Sequence, residues 1–315
     1  MSNVTVIIPA YRVKSNILNV VNEIPSFVKH ILVIDDGCPD LTGRFLEENC
    51  NNQRLQVIYH DRNLGVGAAI KSGYSRGMQL DSDILVKIDG DGQMNSAEIK
   101  DLIEPILRGD AGYAKGNRFV SLTYIRQMPK IRILGNIALT FISKASSGYW
   151  SLRDPNNGFT AIHVNTLKKL NLNAIDNRYF FESDMLLNLY FEGTIIKDIP
   201  MHARYGNEKS NLSVVKSFFE FSYKHIRNLF IRLYWKYALQ DFGLTSFKLF
   251  VGVTLLVLGT SLGIYHWVHG IVYSQQTNAG TVGIVGILVI IGVNSLYLFL
   301  DSDVKSDPNL HKNLP

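Results

Sequence analysis

The segment DILVKIDGDGQ, residues 83–93, joins a short apolar run to an acidic turn that contains two glycines. Its first seven residues have the length and apolar content of a buried strand, and the polar turn follows at the carboxyl end. Three runs of the same kind precede it in the chain, namely VTVIIPA (4–10), ILVIDD (31–36) and LQVIYH (55–60). Between these runs lie segments with an apolar residue every three to four positions: 14–24, 41–50 and 66–80. Strands that alternate with helices predict βαβ units and parallel pairing, so the sequence indicates an α/β domain.

The acidic turn carries two carboxylates, Asp89 and Asp91, two residues apart at the predicted carboxyl end of a strand. Oxygen ligands in this arrangement can share one hard divalent cation, which would neutralise a diphosphate leaving group. An EF-hand loop is excluded because Gln93 and Met94 stand where that loop needs Asp or Asn and then Gly. The alternative is a solvated turn that binds nothing.

A glycine-rich turn, NLGVGAA at residues 63–69, precedes a helical pattern. The dinucleotide fingerprint GxGxxG would need glycine at position 70, where Ile70 stands, so a Rossmann dehydrogenase is disfavoured. No GxxxxGK[ST] segment occurs, which disfavours a P-loop nucleotidase. The turn can still present N–H groups to a nucleotide, or it can be an ordinary helix start.

Two long apolar runs lie near the C-terminus, at about 249–268 and 279–300. Each reaches the roughly 20 residues that cross a bilayer core. Six of their glycines predict close helix packing: Gly252, Gly259, Gly263, Gly283, Gly286 and Gly292. A polar linker separates the runs, and cations flank both, so we predict a hairpin with both ends cytoplasmic. A buried hairpin in a soluble protein is the alternative.

The segment 214–240 mixes aromatic residues with lysine and arginine. It predicts one or two amphipathic helices in the membrane interface, with rings toward lipid and cations toward headgroups. A helix packed on the preceding domain is the alternative. The predicted domains are therefore 1–212 (catalytic), 213–241 (juxtamembrane helices), 242–303 (transmembrane hairpin) and 304–315 (cytoplasmic tail).

The chain has 315 residues, a net charge of +5 and two cysteines. Two cysteines without a CxxC pair predict neither a disulfide framework nor a structural zinc site. The basic residues crowd before the apolar runs, which suits an anionic membrane surface, and no nucleic-acid-binding signature accompanies them. The N-terminus leads straight into the first strand and is expected to begin the fold.

Six motifs in this order resemble the family 2 glycosyltransferases of the GT-A fold: VTVIIPAY (4–11), VIDDG (33–37), NLGVGAA (63–69), DGDGQ (89–93), GNRF (116–119) and DPNNGF (154–159). The resemblance covers roughly residues 1–210 and is strongest to the polyprenyl-phosphate sugar transferases. It implies an α/β domain with a Rossmann-like mixed sheet. It also implies a metal-dependent, inverting transfer of a sugar from a UDP- or GDP-linked donor to undecaprenyl phosphate. The product would be a polyprenyl-monophosphate sugar for cell-envelope glycan assembly or modification.

The two-span tail is similar to the bacterial members, which implies a multi-pass protein of the cell inner membrane with a cytoplasmic catalytic domain.

The resemblance also implies roles for individual residues. It places the nucleotide against six residues: Pro9, Ala10, Tyr11, Asp36, Gly67 and Lys71. It places Mg²⁺ or Mn²⁺ and the donor diphosphate among Asp89, Asp91 and Gln93, with Asp89 also touching the nucleotide.

The acceptor side of the site involves further residues. Arg118 and Arg132 would hold the acceptor phosphate, unless they form salt bridges to Glu182 or Asp184. The acidic residues near the sugar would be Asp154, Glu182 and Asp184. A late basic loop that can close over the donor would contribute Arg204, Lys209 and Ser210.

The chain departs from the family pattern in three motifs, where Arg12-Val13, Cys38 and Thr160 replace the usual Asn-Glu, Ser and Arg. The first two obscure which nucleotide is bound, and the third weakens any assignment of sugar contacts. Two other functions stay open, namely transfer to a glycan or lipid hydroxyl and an inactive membrane scaffold. The expected partners are the nucleotide sugar, the lipid phosphate and membrane lipids, and the apolar helices would also allow homo-oligomers.

Overall fold

The computed structural model describes residues 2–120, 130–202 and 214–313, although not the side chains of 120, 130–136, 214–219 and 311–313. The described residues form two compact units. The first extends to Leu229, and the second runs from Phe230 to His311.

The first unit is built on a seven-stranded mixed sheet in the order β3-β2-β1-β4-β6-β5-β7. Its strands are β1 (Val4–Ala10), β2 (His30–Asp35), β3 (Leu55–Tyr59), β4 (Ile84–Lys87), β5 (Tyr113–Asn117), β6 (Thr160–His163) and β7 (Ile196–Pro200). Strand β6 runs antiparallel to both of its neighbours, and every other pair is parallel. The predicted α/β class and the first four strands are therefore confirmed.

Helices cover both faces of this sheet: α1 (Ile17–Glu23), α2 (Thr42–Asn49), α3 (Val66–Gln79), α4 (Ile99–Leu107), α5 (Lys130–Ser147), α6 (Val164–Leu167) and α7 (Phe181–Phe191). Alternate residues of β1 point to opposite faces, as the pleat requires. Ile8 belongs to the core that contains α1 and α4, whereas Ile7 belongs to the core that contains α3 and α7. Both faces of the central strands are thus buried, which is why the strands read as continuous apolar runs.

The reversed direction of β6 determines what gathers at one edge of the sheet. Strands β4 and β5 end at this edge, so Asp89 and Arg118 follow them there. Because β6 is antiparallel, the segment 154–159 reaches the same edge just before that strand begins. Residues far apart in sequence therefore meet at the carboxyl edge, where ligands bind in such sheets.

The second unit contains two long helices, α9 (Leu244–Tyr273) and α10 (Ala279–Lys305). Both are long and apolar enough to cross a membrane, and only 11% of the most apolar stretch of each is buried. Helix α9 is longer than the predicted span 249–268 at both of its ends, and α10 extends past residue 300, where the second predicted span ends. Gly252 and Gly292 lie where the two helices touch, because a Cβ on Gly292 would be 2.8 Å from the Leu256 nitrogen. The prediction that Gly283 and Gly286 also serve this contact is wrong, since a Cβ on either would meet nothing within 4 Å.

Helix α8 (Val214–Tyr234) precedes a π-helix (Trp235–Gln240). It buries polar side chains and exposes aromatic ones, the reverse of what a helix on the surface of a soluble protein does. His225, Asn228 and Arg232 are buried, whereas aromatic residues such as Tyr223 and Phe230 are more than two thirds exposed. An apolar outer face is typical of an interfacial helix, and the buried polar face also gives the helix protein contacts. The helix therefore packs on protein through its polar face, and its position in a membrane interface stays a prediction.

The expectation that the cations of this segment reach toward headgroups is wrong for Arg232. Its guanidinium donates to both carboxylate oxygens of Asp303, at 2.7 and 2.8 Å, and both side chains are 1% exposed. The Tyr237 hydroxyl donates to the same carboxylate at 2.6 Å. A buried charge needs such a partner, so this arginine is held inside the second unit.

Candidate active site

A cleft of about 280 Å³ lies at the carboxyl edge of the sheet. Its lining includes three acidic side chains, those of Asp89, Asp91 and Glu182, together with several aromatic rings. The remaining lining residues are Gln93, Met94, Arg118, Leu139, Asn156, Asn157, Gly158, Tyr179, Phe180, Ser183, Met201, Phe221 and His225. Six of the predicted site residues thus meet here or directly beneath the cleft: Asp89, Asp91, Gln93, Arg118, Asp154 and Glu182.

A buried lysine joins two of the cleft carboxylates. The Lys87 ammonium lies 2.8 Å from Asp89 Oδ1 and 3.0 Å from Glu182 Oε1, and it donates to the Gly158 carbonyl at 3.1 Å. Burial alone would lower the pKa of Lys87, but the two carboxylates outweigh burial and raise it. Lys87 therefore stays charged and fixes both carboxylates. Sequence reasoning missed it, although a lysine inside an otherwise apolar strand was the available signal.

The acidic turn is held in a defined shape. The Gln93 N–H donates to Asp91 Oδ1 at 3.0 Å, and the Asn16 side chain donates to the Asp91 carbonyl at 2.7 Å. Gly92 adopts φ = +78°, a conformation that glycine allows at little cost.

The residues at the turn fit a divalent cation that arrives with a diphosphate. In the described part of the chain, no three His, Cys, Asp or Glu side chains come close enough to hold a metal by themselves. Magnesium commonly uses one or two carboxylates and completes its shell with substrate phosphates and water. Asp89, whose side chain is one third exposed, and Asp91 both line the cleft and could supply those carboxylates.

Arg118 is held at the cleft by two bonds to one carboxylate. Its Nε and Nη2 donate to the two oxygens of Asp154, at 2.8 and 3.0 Å. Asp154 is 1% exposed and also accepts from the Asn157 side chain at 3.2 Å. The partner is thus Asp154, not the Glu182 or Asp184 considered from the sequence. Since both oxygens of Asp154 bind Arg118, Asp154 orients that arginine, and its predicted place beside the sugar stays a prediction.

A second buried lysine supports the loop beneath the cleft. Lys115 is fully buried, and its ammonium donates to the Asn157 carbonyl. Burial lowers the pKa of Lys115 to about 8, although nearby carboxylates, Glu182 foremost, oppose the shift. The lysine fixes the backbone of the DPNNGF segment. Sequence reasoning missed this residue as well.

Asp184 does not line the cleft. It lies two residues beyond Glu182 on α7, so the two side chains point about 200° apart around the helix. Asp184 accepts from the Asn228 side chain at 2.6 Å and from the Asp176 N–H at 2.9 Å. Burial raises the pKa of its carboxyl group, and these hydrogen bonds oppose the shift. The structure thus separates Asp184 from the acidic residues with which it was grouped.

The residues predicted for the nucleoside lie where β1 and β2 end. Pro9 and Ala10 close β1, the Asp36 N–H donates to the Ala10 carbonyl at 3.1 Å, and Tyr11 is 40% exposed. The Asp36 carboxylate is buried and bonds to His60 Nδ1 at 2.7 Å. It also accepts two N–H bonds from the glycine-rich turn, at 2.8 and 2.9 Å. In this arrangement Asp36 anchors the turn, and its contact with a nucleoside stays a prediction.

The glycine-rich turn packs against another part of the chain. The Ala68 N–H donates to the Asn177 carbonyl at 3.0 Å, and a Cβ on Gly67 would lie 2.3 Å from the Asp176 carbonyl oxygen. Lys71 donates to two carbonyls of the same segment, those of Leu172 and Ile175, at 3.3 and 2.9 Å. Gly67 and Lys71 thus serve close packing, and the structure does not bring them to the cleft.

We expect Gly67→Ala to destabilise the first unit by about 1–3 kcal/mol, because the new methyl group would press on a backbone carbonyl. Labelling of the buried Cys38 thiol during heating measures unfolding of this unit. Gly283→Ala is the matched control, since it is also a helical glycine but has open space around it. Equal stability of the Gly67 variant and the wild type would contradict the packing role.

The remaining predicted residues are Arg132 and the three of the late basic loop. Arg204, Lys209 and Ser210 lie outside the described residues, and for Arg132 only the backbone, within α5, is described. Their roles stay predictions.

Comparison with known proteins agrees with this geometry. The family model for glycosyl transferase family 2 matches residues 5–170. The chain is 30% identical over 213 residues to the UDP-N-acetylglucosamine–dolichyl-phosphate N-acetylglucosaminyltransferase of Methanococcus voltae, covering 63% of this chain and 84% of that one. It is 29% identical to the polyprenol monophosphomannose synthase of Mycolicibacterium smegmatis, covering 62% and 75% respectively.

Solved structures show the same fold. Glucosyl-3-phosphoglycerate synthase from Mycobacterium tuberculosis, crystallised with Mn²⁺, UDP and glucosyl-3-phosphoglycerate, superposes with a TM-score of 0.56. The superposition covers 73% of this chain and 80% of that one at 17% identity. The same enzyme was also crystallised with Mg²⁺ and UDP. The mixed sheet is therefore a GT-A sheet, and the chain belongs to glycosyl transferase family 2, with relatives that act on polyprenyl phosphates.

Proposed function

We propose that this chain transfers a sugar from a UDP- or GDP-linked donor to polyprenyl phosphate, and specifically to undecaprenyl phosphate, with inversion at the anomeric carbon. The product is a polyprenyl-monophosphate sugar for cell-envelope glycan assembly or modification. The observation that carries this proposal is a cleft lined both by carboxylates suited to a divalent cation and by an arginine fixed by Asp154, in a chain with two apolar C-terminal helices. The lipid-phosphate relatives support the choice of acceptor.

On the donor side, Asp89 and Asp91 would hold Mg²⁺ or Mn²⁺, which neutralises charge on the leaving diphosphate. Lys87 supports this site because its ammonium holds Asp89 in place while the Asp89 side chain stays one third exposed. Gln93 lies at the end of the same turn and lines the cleft.

On the acceptor side, the nucleophile needs little activation. A phosphate monoester has its second pKa near 6, so at neutral pH most of it is already a dianion. The protein must instead overcome repulsion between two anions and align the phosphate oxygen with the anomeric carbon. Arg118, oriented by Asp154, supplies positive charge that does not titrate.

Glu182 is proposed to orient the sugar rather than to act as a strong base. Its carboxylate lies 3.0 Å from the Lys87 ammonium, and this ion pair holds it in a fixed position at the cleft. A base is also unnecessary when the nucleophile is already ionised.

We propose that α9 and α10 span the inner membrane with both ends cytoplasmic. In a variant lacking Cys38 and Cys50, cysteines placed in the linker 274–278 should react with a membrane-impermeant thiol reagent in intact cells. Cysteines at Ser2 and Ser306 should react only after permeabilisation. Labelling of either end in intact cells would contradict this topology.

A donor screen tests the proposed function. The full chain is incubated with undecaprenyl phosphate and UDP- or GDP-linked sugars, and lipid products are identified by mass spectrometry. We expect one donor class to give a lipid monophosphate sugar. An inactive scaffold would give no product with any donor, and transfer only to a glycan or lipid hydroxyl would leave the lipid phosphate unmodified.

A further inference from the structure

His225 on α8 is a buried histidine that packs beside aromatic rings of the cleft. It is 1% exposed, it lines the cleft, and its ring packs edge-on against Phe180 with the centroids 4.7 Å apart. Phe221, one turn earlier on α8, also lines the cleft and lies 5.9 Å from Phe180. No sequence motif pointed to this residue, because it belongs to the segment interpreted as interfacial.

The hydrogen bonds of Ser146 assign the tautomer of this histidine. The Ser146 hydroxyl has one proton and contacts two groups, the Ser143 carbonyl at 3.1 Å and His225 Nδ1 at 2.8 Å. A carbonyl can only accept, so the hydroxyl proton goes to Ser143. Both contacts are hydrogen bonds only if Nδ1 carries a proton and donates to the hydroxyl oxygen.

The imidazole is neutral at physiological pH, since burial lowers the pKa of His225 to about 4. A neutral ring with its proton on Nδ1 leaves Nε2 as a hydrogen-bond acceptor. Within the described part of the chain, no hydrogen bond to Nε2 is found, so the cleft side of this ring is open to a ligand.

An acceptor nitrogen selects among the groups that enter this cleft. The dianionic lipid phosphate and the donor diphosphate have no proton to donate, so they cannot bond to Nε2. A sugar hydroxyl or an N-acyl N–H can donate. Neighbouring aromatic rings are also suited to the apolar face of a sugar, while a few polar groups fix its orientation.

We infer that His225 Nε2 accepts a hydrogen bond from a hydroxyl or amide N–H of the transferred sugar and so helps to select the donor. This inference rests on the proposed function, and it assigns donor specificity to a residue of the juxtamembrane helix. Ser146 is the positioning residue, because it fixes the tautomer.

Calorimetry on the full chain in detergent tests this inference with two matched pairs of probes, UDP-N-acetylglucosamine against UDP and GDP-mannose against GDP. We expect His225→Ala to weaken binding of the sugar nucleotide about tenfold, the scale of a hydrogen bond lost from a buried site. Binding of the free nucleoside diphosphate should stay within about twofold. His225→Gln, whose amide oxygen can accept a hydrogen bond, should recover most of the loss.

His163→Ala is the control, because His163 caps the short helix α6 and does not line the cleft. Unchanged sugar-nucleotide affinity in His225→Ala would overturn the inference and leave the proposed function intact. The same is true if only the KM for undecaprenyl phosphate rises. Failure of the wild type to bind either sugar nucleotide would instead contradict the proposed donors and the inference with them.

Discussion

Replacing Asp89 by Asn should reduce turnover by a factor on the order of 10² or more, which is the scale for loss of a preorganised electrostatic group. The substitution is nearly isosteric, and Lys87 keeps Glu182 as a partner, so the fold should persist. Steady-state transfer to undecaprenyl phosphate measures the effect. Asp91→Asn should act in the same direction.

Asp83→Asn is the matched control for this prediction. Asp83 precedes the same strand at its opposite end, is exposed, and accepts a hydrogen bond from the Asn3 N–H. It should leave turnover within about twofold. Binding of Mn²⁺ in the presence of UDP, followed by electron paramagnetic resonance, gives a readout that does not depend on turnover. Full activity of Asp89→Asn, or of the wild type in excess EDTA, would contradict a metal role.

Replacing Arg118 should lower kcat/KM for undecaprenyl phosphate by about tenfold to a hundredfold, because hydrogen bonds to a charged group contribute about 1.5–3 kcal/mol. Affinity for the nucleotide sugar should barely change. Arg118→Ala also leaves the buried Asp154 carboxylate without its arginine partner. A loss of activity in that variant could therefore come from lower stability of the fold. Arg118→Lys keeps a positive charge for Asp154 but cannot form the bidentate hydrogen bonds of a guanidinium. It is therefore the variant that tests the role of Arg118 without leaving Asp154 unpaired.

Arg108→Ala is the matched control, because Arg108 forms an exposed ion pair with Glu104 on α4. Exposed ion pairs contribute little to stability, so we expect Arg108→Ala to change neither the transfer activity nor the stability of the protein. If calorimetry showed that Arg118→Lys binds the nucleotide much more weakly, Arg118 would belong to the donor and not to the acceptor.

The first half of the sheet could be predicted from the sequence, but its second half could not. Strands β1, β2 and β4 are buried on both faces, so they appear as continuous apolar runs. Strand β5 has the sequence YAKGN, in which Lys115 and a glycine conceal the pattern. Strand β6 has four residues, too few for a period to show.

The residues of the candidate site could likewise be predicted only in part from the sequence. The acidic turn was identified because its polar residues follow a buried strand, at the edge of the sheet where ligands bind. Arg118 was identified through the GNRF motif of the family resemblance. Lys87, Lys115 and His225 were missed because each is a buried polar residue within an apolar pattern, and only tertiary contacts give it a partner. The family resemblance grouped Asp184 with Glu182, but helix geometry turns Asp184 away from the cleft.

Acceptor preference tests the central proposal most directly. The purified full chain is given one active nucleotide sugar and equal amounts of undecaprenyl phosphate and undecaprenol, and both possible products are quantified by mass spectrometry. The proposed mechanism predicts a lipid monophosphate sugar and no undecaprenol glycoside, because the fixed positive charge of Arg118 suits an ionised nucleophile, whereas a hydroxyl would first have to lose its proton. Glycosylated undecaprenol as the main product, with undecaprenyl phosphate left unmodified, would contradict it.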